Sequence, residues 1–75
     1  MRKEEPEETR RQLERFFISN PHAVNTARQI ARRTGISLAE VERVLGTMAA
    51  ENFVQRIQYP GVNIYRYIPP RREAK

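Results

Sequence analysis

With 75 residues, a net charge of +5 and a pI near 10.4, the chain has room for one small core, since folding at this size buries only about 60 per cent of the unfolded surface. It holds no cysteine and a single histidine, His22, which excludes a disulfide framework and a Cys/His metal site and leaves helix packing to supply stability. No apolar run approaches the roughly 18 residues that cross a bilayer, and Met1 to Arg10 is charged, so the expectation is a cytoplasmic chain with no membrane partner.

Pro6 suits the first position of a helix, where its missing N–H costs nothing, and Glu7 and Glu8 suit the positive helix end. Leu13, Phe16 and Phe17 recur at helical spacing and define a buried stripe, while Glu7 and Arg11 stand one turn apart on the wet face. Asn20-Pro21 ends this first helix, because a residue preceding proline is pushed out of helical geometry.

A short extended stretch around His22 to Asn25 follows. Thr26 and Gln29 have the spacing of a capping box and open the second helix, whose apolar side is Ala27, Ile30 and Ala31. Thr34-Gly35 closes it, with glycine where a left-handed backbone is needed. Ile36 plugs the turn. Ser37 and Glu40 form a second capping box by spacing, and Leu38, Val41, Val44, Leu45 and Met48 give the third helix a continuous apolar face to about Glu51. Two capped helices joined through so little chain make a sharp corner.

From Phe53 the composition turns to strand: Val54, Ile57, Tyr59, Val62, Ile64, Tyr65, Tyr67 and Ile68 are β-branched, aromatic or apolar. Pro60-Gly61 is a turn signal between two strands, so these residues predict a hairpin. Pro69 and Pro70 stop the second strand. The fold expected is mostly α with a small β-hairpin, one domain over 1–75, with flexible tails at 1–6 and 70–75.

Charge is unevenly placed. Met1 to Asn20 holds five basic and five acidic residues, whereas Pro21 to Lys75 holds nine basic and four acidic. Such an excess draws polyanions. Enzymatic chemistry has no support: there is no cysteine nucleophile, no glycine-rich phosphate loop, and no serine set beside a base. His22, just after Pro21 in a connector, lacks partners for acid–base work.

The order helix, short strand, helix, tight turn, helix, hairpin resembles the winged helix-turn-helix family over about Leu13 to Ile68. Ala31 stands where that family places a small residue, Gly35 at the turn, and Val41 and Val44 at buried positions of the second helix of the motif, with Ile30, Ile36 and Leu45 filling further apolar positions. The resemblance implies a three-helix bundle plus wing and a small transcriptional regulator that binds duplex DNA without a cofactor. Helix three would then enter the major groove, helix two would cross the backbone, and the hairpin would be the wing. The fold also serves RNA binding and protein contact, which stay open as alternatives.

With the core stripe inward, Ala39, Glu40, Glu42, Arg43, Gly46, Thr47 and Ala50 face out of helix three. Arg43 is the strongest candidate for a base or phosphate contact, Thr47 could reach a phosphate or base edge, and Ser37 sits at a helix N-terminus suited to phosphate. Arg28, Arg32 and Arg33 on helix two offer a positive rail, which Arg56 and Arg66 of the hairpin extend. Tyr65 and Tyr67 either close the core under the wing or stack on bases. Glu40 is explained as the reciprocal cap of Ser37. Glu42 has no such role: it could accept a bond from the cytosine amine, pair with an arginine, or signal that helix three does not lie in a groove.

The stretch Glu40 to Leu45, with a proline-containing wing behind it, is also similar to the left-handed DNA-binding branch of the family. That branch has lysine, asparagine and tyrosine where this chain has Ala39, Glu42 and Gly46, and a wing tryptophan that is absent here, so its specificity does not carry over. Helix one and the tails are the candidates for a dimer interface, but no heptad pattern marks them, and the oligomeric state stays open.

Overall fold

The polar residues bracketing the helices form most of the caps that their spacing predicts. In the computed structural model, which describes residues 7–70, the order is α1 (Glu7–Ser19), β1 (Val24–Thr26), α2 (Ala27–Thr34), α3 (Leu38–Ala50), β2 (Val54–Tyr59) and β3 (Val62–Tyr67). The expectations for Pro6, for the tail at 1–6 and for all but the first residue of the tail at 70–75 lie outside the described residues. Thr26 and Gln29 close a complete capping box: the Gln29 N–H donates to Thr26 Oγ1 at 3.1 Å, and the Thr26 N–H donates to Gln29 Oε1 at 2.9 Å. Gly35, at φ 78°, takes the left-handed conformation and donates its N–H to the Ala31 carbonyl.

The second capping box is only half formed. The Glu40 N–H donates to Ser37 Oγ at 3.2 Å, but the Glu40 carboxylate turns away and accepts the Thr9 hydroxyl of α1 at 3.0 Å. A partner 31 residues distant in sequence has displaced the local one. The pair expected between Glu7 and Arg11 is also not made; on α1 the ion pair one turn long is Arg10 with Glu14, at 2.6 Å.

The extended stretch before α2 becomes a true strand. The sheet order is β1-β3-β2, all antiparallel, so the second strand of the hairpin is central and β1 adds to its free edge. Asn25 stands opposite Tyr65 and Val24 opposite Arg66 on one side, and Val54 opposite Tyr67 and Gln55 opposite Arg66 on the other. Alternation along a strand then sorts the side chains. Asn25, Val54 and Tyr65 are buried on the face toward the helices, while Val24, Gln55, Ile57, Ile64 and Arg66 share the opposite face.

Leu13, Phe17, Ile30, Val41, Leu45, Met48 and Val54 are the fully buried side chains that hold the three helices to the sheet, each contributing about 1.5–3 kcal/mol by leaving water. Tyr65 is 3% exposed and belongs to this cluster, and Tyr67 packs against it. Both tyrosines therefore close the core.

Arg10 ties α1 to the far end of α3. It bonds Glu14 and reaches Glu51 at 2.7 Å, with its guanidinium carbon 6.0 Å from the centre of the Phe53 ring. The hydrogen bonds to Glu14 and then Glu51 raise its proton affinity above the ordinary arginine value. Phe53 in turn packs on Tyr67 with ring centres 5.3 Å apart. A single side chain thus links α1, the end of α3 and the root of the hairpin.

Candidate nucleic-acid interface

The apolar stripe of α3 leaves its other side free, and the helical period decides what stands there. Val41, Val44, Leu45 and Met48 are buried, whereas Ala39, Glu42, Arg43, Thr47 and Ala50 are exposed and Gly46 is half-buried. Ala39, Gly46 and Ala50 form the crest opposite the core, with Arg43 beside it. Glu42 lies on one flank and Thr47 on the other.

Surface depressions among the described residues border this helix on several sides. On the α1 side, Arg43 and Thr47 line a groove with Glu7 and Arg10. Toward the tip of the hairpin, Glu42 lines a hollow with Arg28, Tyr59 and Asn63. Toward its root, Arg56 shares a depression with Gly46 and Ala50. The sequence-predicted residues Arg28, Glu42, Arg43, Thr47 and Arg56 are thereby gathered around α3, together with Ala39 on its crest.

Other predicted residues are placed differently. Arg32 continues the line of Arg28 one turn on, but Arg33 stands about 100° further round α2 by the helical period, so it leaves the rail. Arg66 is a correction: it lies on the sheet face opposite that of Tyr65 and Arg56, because residues one apart on a strand point to opposite sides. Arg56 and Arg66 therefore do not extend one continuous surface. Ser37 is exposed at the start of α3; its oxygen caps the Glu40 N–H, leaving the hydroxyl proton for an outside acceptor.

The two carboxylates at the start of α3 differ in state. Glu40 is half-buried, holds the Thr9 hydroxyl and stands 3.7 Å from Arg43 Nη2. Glu42 is exposed and makes no ion pair among the described residues, although Arg28 borders the same hollow. Arg43 itself is 66% exposed, so its contact with Glu40 is a weak one that solvent screens.

Tyr59 is the residue that sequence reasoning passed over. It is 54% exposed, unlike Tyr65 and Tyr67. Its position gave a signal: it is the last residue before Pro60-Gly61 and pairs with Val62 across the turn, where a ring has little to pack against.

Among the described residues no helix is long and apolar enough to cross a membrane. A family model described as the IclR helix-turn-helix domain matches residues 15–58, from late α1 through α2 and α3 into β2. Comparison with curated proteins and with solved structures finds no match.

Proposed function

Because the chain belongs to the IclR helix-turn-helix domain family, a winged helix-turn-helix family of DNA-binding transcription regulators, we propose that it reads duplex DNA with α3 in the major groove. In this reading Arg28 and Arg32 of α2 run beside one phosphate strand, and Arg56 approaches the other from the root of the hairpin. Such contacts fix register and supply salt-sensitive affinity. Arg43 serves as the main base reader, since a guanidinium bonds guanine O6 and N7 together, and Thr47 supports it from the same groove.

One observation carries the reading: the single side of α3 that the core does not use is flanked by exposed cations from α2 and β2. The crest fits it as well. Ala39, Gly46 and Ala50 add almost no bulk, so the helix backbone can approach the floor of a groove about 12 Å wide.

The test is binding of the chain to a labelled random-sequence duplex at several salt concentrations. The logarithm of affinity is expected to fall linearly with the logarithm of salt, by about 0.9 for each phosphate neutralised. Arg28→Ala combined with Arg43→Ala lowers both affinity and that slope, while Arg66→Ala, on the far sheet face, leaves them close to wild type. Salt-independent binding, or a double variant that binds as well as wild type, would refute the assigned surface and favour a protein partner packed on the small crest.

A further inference from the structure

We propose that Glu42 is a specificity-determining residue that selects cytosine at one position of the duplex; the inference rests on the reading of α3 as the groove helix. Of the two carboxylates near the start of α3, Glu40 is spent inside the protein on Thr9. Glu42 is exposed and has no ion-pair partner among the described residues. It stands about 160° round the helix from Glu40 by the helical period, on the flank that borders the hollow with Arg28 and Asn63.

An ionised carboxylate only accepts hydrogen bonds. Phosphate oxygens, guanine O6 and N7 and thymine O4 are acceptors too, so each repels it. The major-groove donors are the amines of cytosine and adenine. On adenine the amine stands next to the N7 acceptor, which opposes the second carboxylate oxygen. Cytosine's amine has a C–H on one side and only the paired guanine's O6 on the other, whereas adenine's lies between N7 and the paired thymine's O4. Arg28, across the same hollow, supplies positive charge that offsets the repulsion from the nearest phosphates. Glu42 therefore weakens binding to most sequences and relieves that penalty at cytosine, which is selection by an element hostile to the wrong partners.

The experiment is selection from a random-sequence duplex pool with the full chain and with Glu42→Gln and Glu42→Ala. Both substitutions are at an exposed position whose side chain makes no hydrogen bond among the described residues, and thermal melts verify that the variants fold alike. Wild type is expected to enrich cytosine at one position, with a loss on the order of tenfold when that base pair is changed. Glu42→Gln shifts this position to adenine, which a glutamine amide bonds at N6 and N7, and leaves the other positions alone. Glu42→Ala loses the preference there and binds unselected duplex more tightly. The same base profile from all three proteins, whatever their affinities, overturns the proposal and reduces Glu42 to a general charge effect. If wild type draws no duplex from the pool, the groove reading itself fails, and the proposal with it.

Discussion

Gly46 costs α3 stability for no reason found within the fold, and replacing it separates what the domain needs to fold from what it needs to bind. It sits in the interior of a helix of 13 residues, its φ is not in the left-handed region, and a Cβ built on it meets no heavy atom within 4 Å. Glycine in a helix interior is less favourable than alanine by about 0.8–1.0 kcal/mol, and with open space around the new methyl no clash subtracts from the gain. Gly46→Ala is thus expected to stabilise the domain by about 0.8 kcal/mol, which for a domain of this size raises Tm by roughly 3–6 °C. Thermal unfolding followed by far-UV circular dichroism checks the first part, and urea unfolding with a higher midpoint and an unchanged slope checks that stability has changed without a change in the surface exposed on unfolding. Duplex affinity should move the other way, because the methyl projects from the crest of the groove helix beside Arg56. A variant no more stable than wild type would refute the reasoning about the helix. One that is more stable and binds duplex equally well would refute close approach at the crest.

Two further substitutions test the internal polar groups. Arg10→Ala removes both carboxylate contacts and the stacking on Phe53, and is expected to cost about 1 kcal/mol, a modest figure because the carboxylates are partly exposed and solvent screens them; Arg10→Lys recovers only part of the loss, since an ammonium lacks the planar fork that reaches two carboxylates at once. Equal melting of Arg10→Ala and wild type would remove Arg10 from the account of how α1 is held. Asn25 is 6% exposed and its side-chain Nδ2 has no hydrogen-bond partner among the described residues, a penalty of about 1–3 kcal/mol. Asn25→Val deletes the orphan donor and places a β-branched side chain in β1, so urea unfolding should show a gain of about 1 kcal/mol; a loss of that size would refute the orphan status of the amide.

What was legible in the sequence was local chemistry. Thr26 and Gln29, Gly35, Asn20-Pro21 and Pro60-Gly61 act on residues within one turn of themselves, and each does in the fold what its spacing predicts. What escaped was set by distant neighbours. Glu40 had a satisfactory local role, yet Thr9 of α1 claims it. Val24 to Thr26 reads as a short strand, but its partner does not show, because nothing near it reveals that β3 offers a free edge. The division of Arg56 from Arg66 was within reach, since fixing Tyr65 and Val54 as inward residues sets the parity of both strands. Asn52 gave a weaker sign: it takes a left-handed φ of 65° after α3, a conformation that asparagine tolerates better than most residues.

The charge asymmetry of the sequence acquires a physical meaning from these pairings. Arg10, in the electrically balanced first segment, is consumed by Glu14 and Glu51, and α1 serves to brace α3. From α2 to β3 the described arginines are Arg28, Arg32, Arg33, Arg43, Arg56 and Arg66, and among the described residues only Arg43 lies within 4 Å of a carboxylate, at 3.7 Å and largely in solvent. A polyanion approaching α3 therefore meets cations whose charge is not already neutralised, and it need break only one weak contact to engage them. Had the same arginines been paired as tightly as Arg10, each phosphate contact would first have to displace an internal carboxylate, and the net positive charge of the chain would contribute far less to binding.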